Sequence, residues 1–185
     1  MVRGRMTPWA ATRRAADTID PMPLMLFARL LVLRANPQDL PAEPRLLAVA
    51  LAAHVVVDVI VLLDSVTWPQ ALFAALLDTV LLVALAHTAL LLRGLGARAI
   101  QTLTALAGAG AVLSLLHWLL AAATGQMSPL VIGLPFLTWV VVVYAHILRH
   151  ALSVSPAAAF GASLLYLLIS IGIGGLTLPA PAEAP

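Results

Sequence analysis

The sequence contains no cysteine and no lysine, and charged residues make up only 10% of its 185 positions. Without cysteine the chain can form no disulfide, no thiolate zinc site, no iron–sulfur cluster and no cysteine nucleophile. Soluble domains devote about 25% of their residues to charge. The shortage of charge, together with 62% hydrophobic residues, therefore excludes an ordinary soluble domain, and the same apolar content excludes a disordered chain. The composition predicts a membrane protein.

Long apolar runs fill most of the chain after residue 45. Five segments follow one another, at residues 46–66, 71–92, 100–123, 130–148 and 156–178. Each is close to the ~20 residues that an α-helix needs to cross about 30 Å of hydrocarbon. The short breaks between them are rich in glycine, proline or arginine, which is typical of turns between helices. We therefore predict an all-α, polytopic transmembrane helical bundle with five spans, followed by an unstructured tail at residues 179–185.

The first 45 residues are predicted to stay on the cytoplasmic side. The apolar stretch at residues 22–34 is too short to span a membrane. We predict that it forms a helix lying in the headgroup region, with Phe27 in lipid and with Arg29 and Arg34 reaching phosphates. The paired arginines at positions 13 and 14 are not followed by the apolar region that an export signal needs, so no cleaved signal is predicted.

All ten basic residues are arginines, and the five-span prediction places every one of them on a single side of the membrane. Seven precede the first span, two lie between the second and third spans, and one follows the fourth. This asymmetry is what the positive-inside rule requires. It predicts a cytoplasmic amino terminus, a periplasmic carboxyl terminus and a place in a bacterial-type inner membrane. The pI near 9.9 follows from the same arginines and does not indicate a nucleic-acid partner.

Three ionisable residues lie inside the first two predicted spans. His54 and Asp58 are four positions apart and therefore share one helical face. Asp58 and Asp78 lie ten residues before and ten residues after Trp68, so a hairpin that turns at Trp68 would bring the two carboxyl groups to equal depth. One carboxyl group is then expected to be protonated, with His54 sharing the proton. The pattern is typical of a proton relay or cation site. A polar clamp between helices is the simpler interpretation, because no further acidic group continues a path through the membrane.

The other histidines suggest different sites. His87 lies near the depth of His54, which would allow a bis-histidine haem b between two helices, although structural hydrogen bonding is the simpler role. His146 and His150 are four positions apart at the end of the fourth span, but the sequence shows no third ligand beside them. We therefore predict no metal site and, haem apart, no cofactor. His117 is interpreted as an anchor at the membrane interface.

Small residues form smooth faces on two of the predicted spans. On the third span Ala107, Gly110, Ser114 and Ala121 recur with helical periodicity, and Gly172 thins the fifth span. Close approach of backbones over small residues drives helix association in lipid. We predict that these faces are packed, either within the bundle or against another membrane protein.

The segment LLVLRANP at residues 30–37, followed by five closely spaced spans, resembles the bacterial members of the Yip1-like membrane-protein family. The resemblance is one of topology over most of the chain. It implies a polytopic protein that acts through protein or lipid contacts and has no catalytic residue to carry over.

The loops between the predicted spans are only four to seven residues long, too short to build a catalytic domain. We therefore expect a non-enzymatic scaffold or accessory subunit whose partners are membrane lipids, other membrane proteins or a second copy of the chain. One alternative is a small proton-coupled transporter or channel subunit that uses Asp58, Asp78 and His54. The other is a haem-binding membrane protein.

Overall fold

The computed structural model describes residues 21–124 and 129–177 and contains six α-helices over this part of the chain. They are α1 (Pro21–Leu31), α2 (Pro44–Leu62), α3 (Trp68–Leu92), α4 (Ala99–Thr124), α5 (Pro129–Leu152) and α6 (Pro156–Thr177). Single-turn 3-10 helices at Pro37–Asp39 and Gly96–Arg98 precede α2 and α4. The described residues contain no strand, so the predicted all-α class is confirmed. The tail predicted at residues 179–185 lies outside the described residues.

Four helical stretches are long and apolar enough to cross a membrane by length and composition. They are Pro44–Leu62, Trp68–Leu92, Gly96–Thr124 and Gly133–Leu152, whereas the apolar stretch Pro156–Gly172 in α6 is shorter. Apolar helices of this length are those of a membrane protein. The count of five spans, the orientation of the termini and the inner membrane stay predictions.

Prolines and polar caps set the helix starts. α2, α3 and α6 begin at or beside Pro44, Pro69 and Pro156, where the fixed φ of proline suits the first turn and its missing N–H would have no partner in any case. Thr67 adds a capping box to α3, because its backbone N–H donates to the Gln70 side chain at 3.1 Å. The residues that separate the apolar runs in the sequence are thus the residues that start the helices.

Helix α4 forms the centre of the bundle and packs against α1, α2, α3 and α5. Every residue from position 102 to position 111 is buried, on all sides of the helix. This stretch, TLTALAGAGA, consists mainly of alanine, glycine and threonine, so neighbouring backbones can approach closely around the whole circumference. A helix that is apolar all round is one that is surrounded by other helices.

The N-terminal segment, residues 21–40, packs one face against the bundle and leaves its other face exposed. Leu30, Leu31 and Leu40 are buried, and the ring of Phe27 lies directly over Gly108, where an added Cβ would collide with it. Phe27 is only partly buried, and Leu24 and Leu33 are exposed. The position of this helix in the headgroup region therefore stays a prediction.

The irregular part of this N-terminal segment is held by side chains that bind its backbone carbonyls. Trp139 Nε1 donates to Leu31 O at 3.1 Å, and Gln101 Nε2 donates to Gln38 O and Leu40 O at 3.0 and 2.8 Å. His146 Nε2 lies 2.9 Å from Ala35 O. In apolar surroundings irregular backbone is tolerated only where its polar groups find partners in the protein. These contacts supply those partners.

Candidate functional site

The structure brings the three intramembrane ionisable residues together. His54 and Asp58 project from one face of α2, a turn apart, and Asp78 reaches them from α3. The Nε2 atom of His54 is 3.5 Å from Asp58 Oδ2 and 3.4 Å from Asp78 Oδ2. One ligand atom from each of the three residues lies within 4.8 Å of the other two. We refer to these three residues as the ionisable cluster.

His54 is the most buried member of the ionisable cluster. It is 3% exposed, and neither of its ring nitrogens has a hydrogen-bond partner among the described residues. The carboxylate oxygens beside Nε2 are near enough for an electrostatic contact but do not form a hydrogen bond. A buried polar group without a partner destabilises a protein by about 1–3 kcal/mol. Nothing among the described residues offsets this cost for His54.

Helix α6 contributes two hydroxyl groups that orient Asp78. Tyr166 donates to Asp78 Oδ2 at 2.9 Å, and Ser170 donates to Asp78 Oδ1. Both carboxylate oxygens of Asp78 are thus fixed by donors from a helix far along the chain. Neither residue was predicted as part of the site from the sequence. Their spacing of four positions on a mainly apolar helix places both on one face, and this spacing is the signal that could have identified them.

The ionisable cluster lines a cavity of about 300 Å³ between the helices. All five long helices contribute to its wall: α2 and α3 with the cluster itself, α4 with Ser114, α5 with Tyr144, and α6 with Tyr166 and Ser170. The side chains of Asp58 and Asp78 are 16% and 24% exposed, whereas the side chain of His54 is 4% exposed. The two carboxyl groups are therefore accessible from the cavity, and His54 is the most deeply buried residue of the site. The remaining wall is apolar.

Gly110 on α4 makes this arrangement possible. A Cβ atom at this position would lie 2.5 Å from the Tyr144 hydroxyl oxygen and 2.9 Å from His54 Cε1. Both distances are too short for real contacts, so only glycine allows His54 and Tyr144 to sit against the α4 backbone. Gly110, which belongs to the small-residue face predicted from the sequence, therefore also leaves the space that His54 and Tyr144 occupy at the site.

The other small residues predicted to pack fall into two groups. Ala107 is fully buried like Gly110, and Ser114 is partly buried at the cavity. Ala121 and Gly172 are exposed, and a Cβ at Gly172 would meet nothing within 4 Å. No neighbouring helix among the described residues covers these two positions. Packing against a partner stays a prediction.

His87 is not part of the ionisable cluster. It is exposed on α3, whereas His54 is buried beside two carboxyl groups. The haem that the sequence suggested between these histidines is not tested by this placement and stays a prediction.

The two histidines near the end of α5 take part in local contacts. The ring centroids of His146 and His150 are 4.6 Å apart. The backbone carbonyl of His150 accepts a hydrogen bond from Gln38 Nε2 at 2.9 Å. His117 stacks at 4.9 Å on the ring of Phe136. These contacts tie α5 to α4 and to the N-terminal segment.

Comparison of the chain with known protein families, with curated proteins and with solved structures finds no match. The resemblance to the Yip1-like family therefore stays a prediction, and the interpretation of the site rests on its geometry.

Proposed function

We propose that the protein is a small membrane transporter or channel subunit that takes up a cation at the ionisable cluster. The observation that carries the proposal is the convergence of His54, Asp58 and Asp78 on a cavity to which all five long helices contribute. A site built between all the helices of a bundle changes its shape and access when the helices move, which is how transporters open a central site to either side.

The placement of the ionisable cluster agrees with what such residues do in other membrane proteins. Ionisable side chains within a membrane are rare, face the bundle interior or a cavity, and mark ion pathways or proton relays. Two carboxyl groups in one cavity attract a cation, and the low dielectric of the interior strengthens this attraction relative to water. Proton coupling is the form of transport that the sequence suggests.

A purely structural clamp accounts for only part of the ionisable cluster. Asp78 does join α3 to α6 through the hydroxyl groups of Tyr166 and Ser170. His54 makes no such hydrogen bond, although it is buried. A clamp gains stability from satisfied hydrogen bonds, so it gives no reason to bury an unsatisfied imidazole. A bound cation would give Nε2 a partner between the two carboxyl groups.

Access to the ionisable cluster can be measured on single-cysteine variants, because the chain has no cysteine of its own. We expect a small cationic thiol reagent to modify Ser114→Cys, which lines the cavity, faster than an anionic reagent of the same size. Asp78→Asn in the same background should reduce this preference. Ser163→Cys is the matched control, since Ser163 is buried and donates to Val141 O away from the cavity. Equal rates for the two reagents at position 114, or no labelling, would contradict the proposal.

Proton movement is measured on the protein reconstituted in vesicles that enclose a pH-sensitive dye. Under an imposed membrane potential we expect protons to enter with the wild type and with Asp64→Asn, whose side chain is exposed and accepts from Trp118. Asp58→Asn and Asp78→Asn should lose this entry. Proton entry with the wild type at the rate measured for empty vesicles would contradict proton coupling.

The two other functions stay predictions with tests of their own. The scaffold or accessory role predicts a stoichiometric partner after purification in a gentle detergent. The haem-binding function predicts absorbance in the Soret region that His87→Ala removes.

A further inference from the structure

We propose that the cation bound by the ionisable cluster is a divalent transition-metal ion, with Zn²⁺ as the reference ion, held by His54 Nε2 and by one carboxylate oxygen each of Asp58 and Asp78. This inference rests on the proposed function, since it names the cation that the site takes up.

The distances at His54 suit direct coordination. Zn²⁺ binds nitrogen and carboxylate oxygen at about 2.0–2.2 Å in tetrahedral sites, which separates neighbouring ligand atoms by about 3.4 Å. His54 Nε2 lies 3.5 Å from Asp58 Oδ2 and 3.4 Å from Asp78 Oδ2. The third separation, between the two carboxyl groups, falls within 4.8 Å. The cavity leaves the fourth position open.

The hydrogen bonding of His54 is consistent with the same conclusion. A histidine that shares a proton with one carboxylate makes a hydrogen bond to it of about 2.7–2.9 Å. His54 Nε2 instead lies almost equally far from two carboxylate oxygens and is hydrogen-bonded to neither. A cation bound by Nε2 and by one oxygen of each carboxyl group would give this nitrogen the partner that it lacks.

Asp78 carries the outer hydrogen bonds that metal-binding carboxylates usually have. Tyr166 and Ser170 donate to its two oxygens. Such partners fix the orientation of a ligand, and their loss typically weakens metal affinity 10- to 100-fold. The two hydroxyl groups therefore have a role in the site beyond joining two helices.

Charge and donor type select the class of ion. Two carboxylates neutralise the charge of one divalent ion, which suits a site surrounded by apolar side chains. One imidazole with two carboxylates suits zinc and similar first-row ions, and the chain has no cysteine to favour softer metals. Ca²⁺ and Mg²⁺ prefer oxygen ligands throughout, so the imidazole nitrogen of His54 favours a transition-metal ion over them.

The test measures metal binding to the purified full chain in detergent, without any transport assay. After equilibration with Zn²⁺ and removal of free ion, we expect one zinc per chain, and no Mg²⁺ under the same conditions. Co²⁺ in place of Zn²⁺ should give the visible absorption bands of a low-coordinate site. Failure to retain Zn²⁺ would overturn the metal proposal.

Variants separate this site from other histidines. Asp78→Asn should abolish retention of zinc, and Ser170→Ala should weaken affinity 10- to 100-fold. His87→Gln, which changes an exposed histidine, is the matched control for His54→Gln. If His54→Gln does not fold, Asp58→Asn at the cavity wall replaces it, and we expect this variant to lose zinc. Zinc that survives Asp58→Asn and Asp78→Asn but is lost in His150→Gln would place the metal at the end of α5 and overturn the proposal.

The outcomes also distinguish this inference from the proposed function. If the cationic reagent labels Ser114→Cys faster but the protein retains no zinc, the proposed cation site is supported and the proposed metal ion is contradicted. The opposite outcome is zinc that is retained in a manner dependent on the ionisable cluster, together with equal labelling rates for cationic and anionic reagents and no ion flux. This outcome would support a permanently bound metal ion and contradict the proposed transport function.

Discussion

The N-terminal segment and the ionisable cluster both place polar groups in an apolar helical bundle, but they treat them differently. Around the N-terminal segment, Trp139, Gln101 and Gln38 each donate to a backbone carbonyl. In the ionisable cluster, the buried imidazole of His54 has no hydrogen-bond partner among the residues that the structure describes. The first region pairs its polar groups within the protein, whereas the second leaves a polar side chain unpaired, at the position where we propose a cation binds.

The same central helix supports both regions. The first half of α4 carries Gln101 and the buried small residues over which the N-terminal segment packs, and Gly110 further along allows His54 to reach the backbone. The N-terminal segment therefore closes the bundle on one side of α4 and leaves the cavity on the other. Substitutions along α4 and its neighbours can separate what stabilises the protein from what the site needs.

Gly110→Leu should have the largest effect, because it damages the fold and the site together. The added side chain must displace both Tyr144 and His54, and we expect a loss of roughly 3 kcal/mol, the upper end for an overpacked contact. Thermal unfolding in detergent measures it. Gly172→Leu is the control, since a Cβ there meets nothing within 4 Å. If the two variants were equally stable, α4 would not be packed against α2 at Gly110.

Arg98→Gln should have the next largest effect and should leave the ionisable cluster intact. Arg98 Nη1 donates to His150 O, Ala151 O and Ser153 Oγ at 3.3, 3.1 and 2.9 Å, so it pairs the last carbonyls of α5. Loss of these charge-assisted contacts should lower stability by about 2 kcal/mol.

Arg149→Gln is the control for Arg98→Gln, because Arg149 is a charged but exposed side chain at the same end of α5. We expect Arg98→Gln to retain zinc. A loss of zinc retention would show that the contacts of Arg98 and the ionisable cluster are coupled.

Gln101→Met should have a smaller effect confined to the N-terminal segment. The substitution keeps the length of the side chain but leaves Gln38 O and Leu40 O without the donor they have now. We expect a loss of about 1 kcal/mol and faster proteolysis near residue 40. The exposed Thr88, changed to valine, should give no change in either measurement. Unchanged proteolysis of Gln101→Met would mean that hydrophobic packing alone holds this segment.

The sequence predicted the helical class and the meeting of Asp58 with Asp78, because apolar run length and the position of a tight turn are local properties. It did not predict that α6 would bring Tyr166 and Ser170 to Asp78, since that contact depends on how distant helices pack. It also did not predict that Phe27 lies over Gly108 of α4, because periodicity shows an apolar face without showing what covers it. Gly108 and its small neighbours, which accept Phe27, are 80 residues and more along the chain.

Asp78→Asn should have the smallest effect on stability and a complete effect on binding, which makes it the sharpest test of the comparison. Tyr166 and Ser170 now donate to the two carboxylate oxygens. An amide offers one oxygen and one NH₂ group in nearly the same shape, and either hydroxyl can turn to accept from the NH₂. We therefore expect a change in stability of less than about 0.5 kcal/mol, while Asp78→Leu, which leaves both hydroxyls unpaired, should lose about 1–3 kcal/mol. Asn should nonetheless retain no zinc, because it lacks the charge that the cation requires. If Asn destabilised the protein as much as Leu, the carboxylate charge would be holding the helices together, and the ionisable cluster would belong with the N-terminal segment as a structural device.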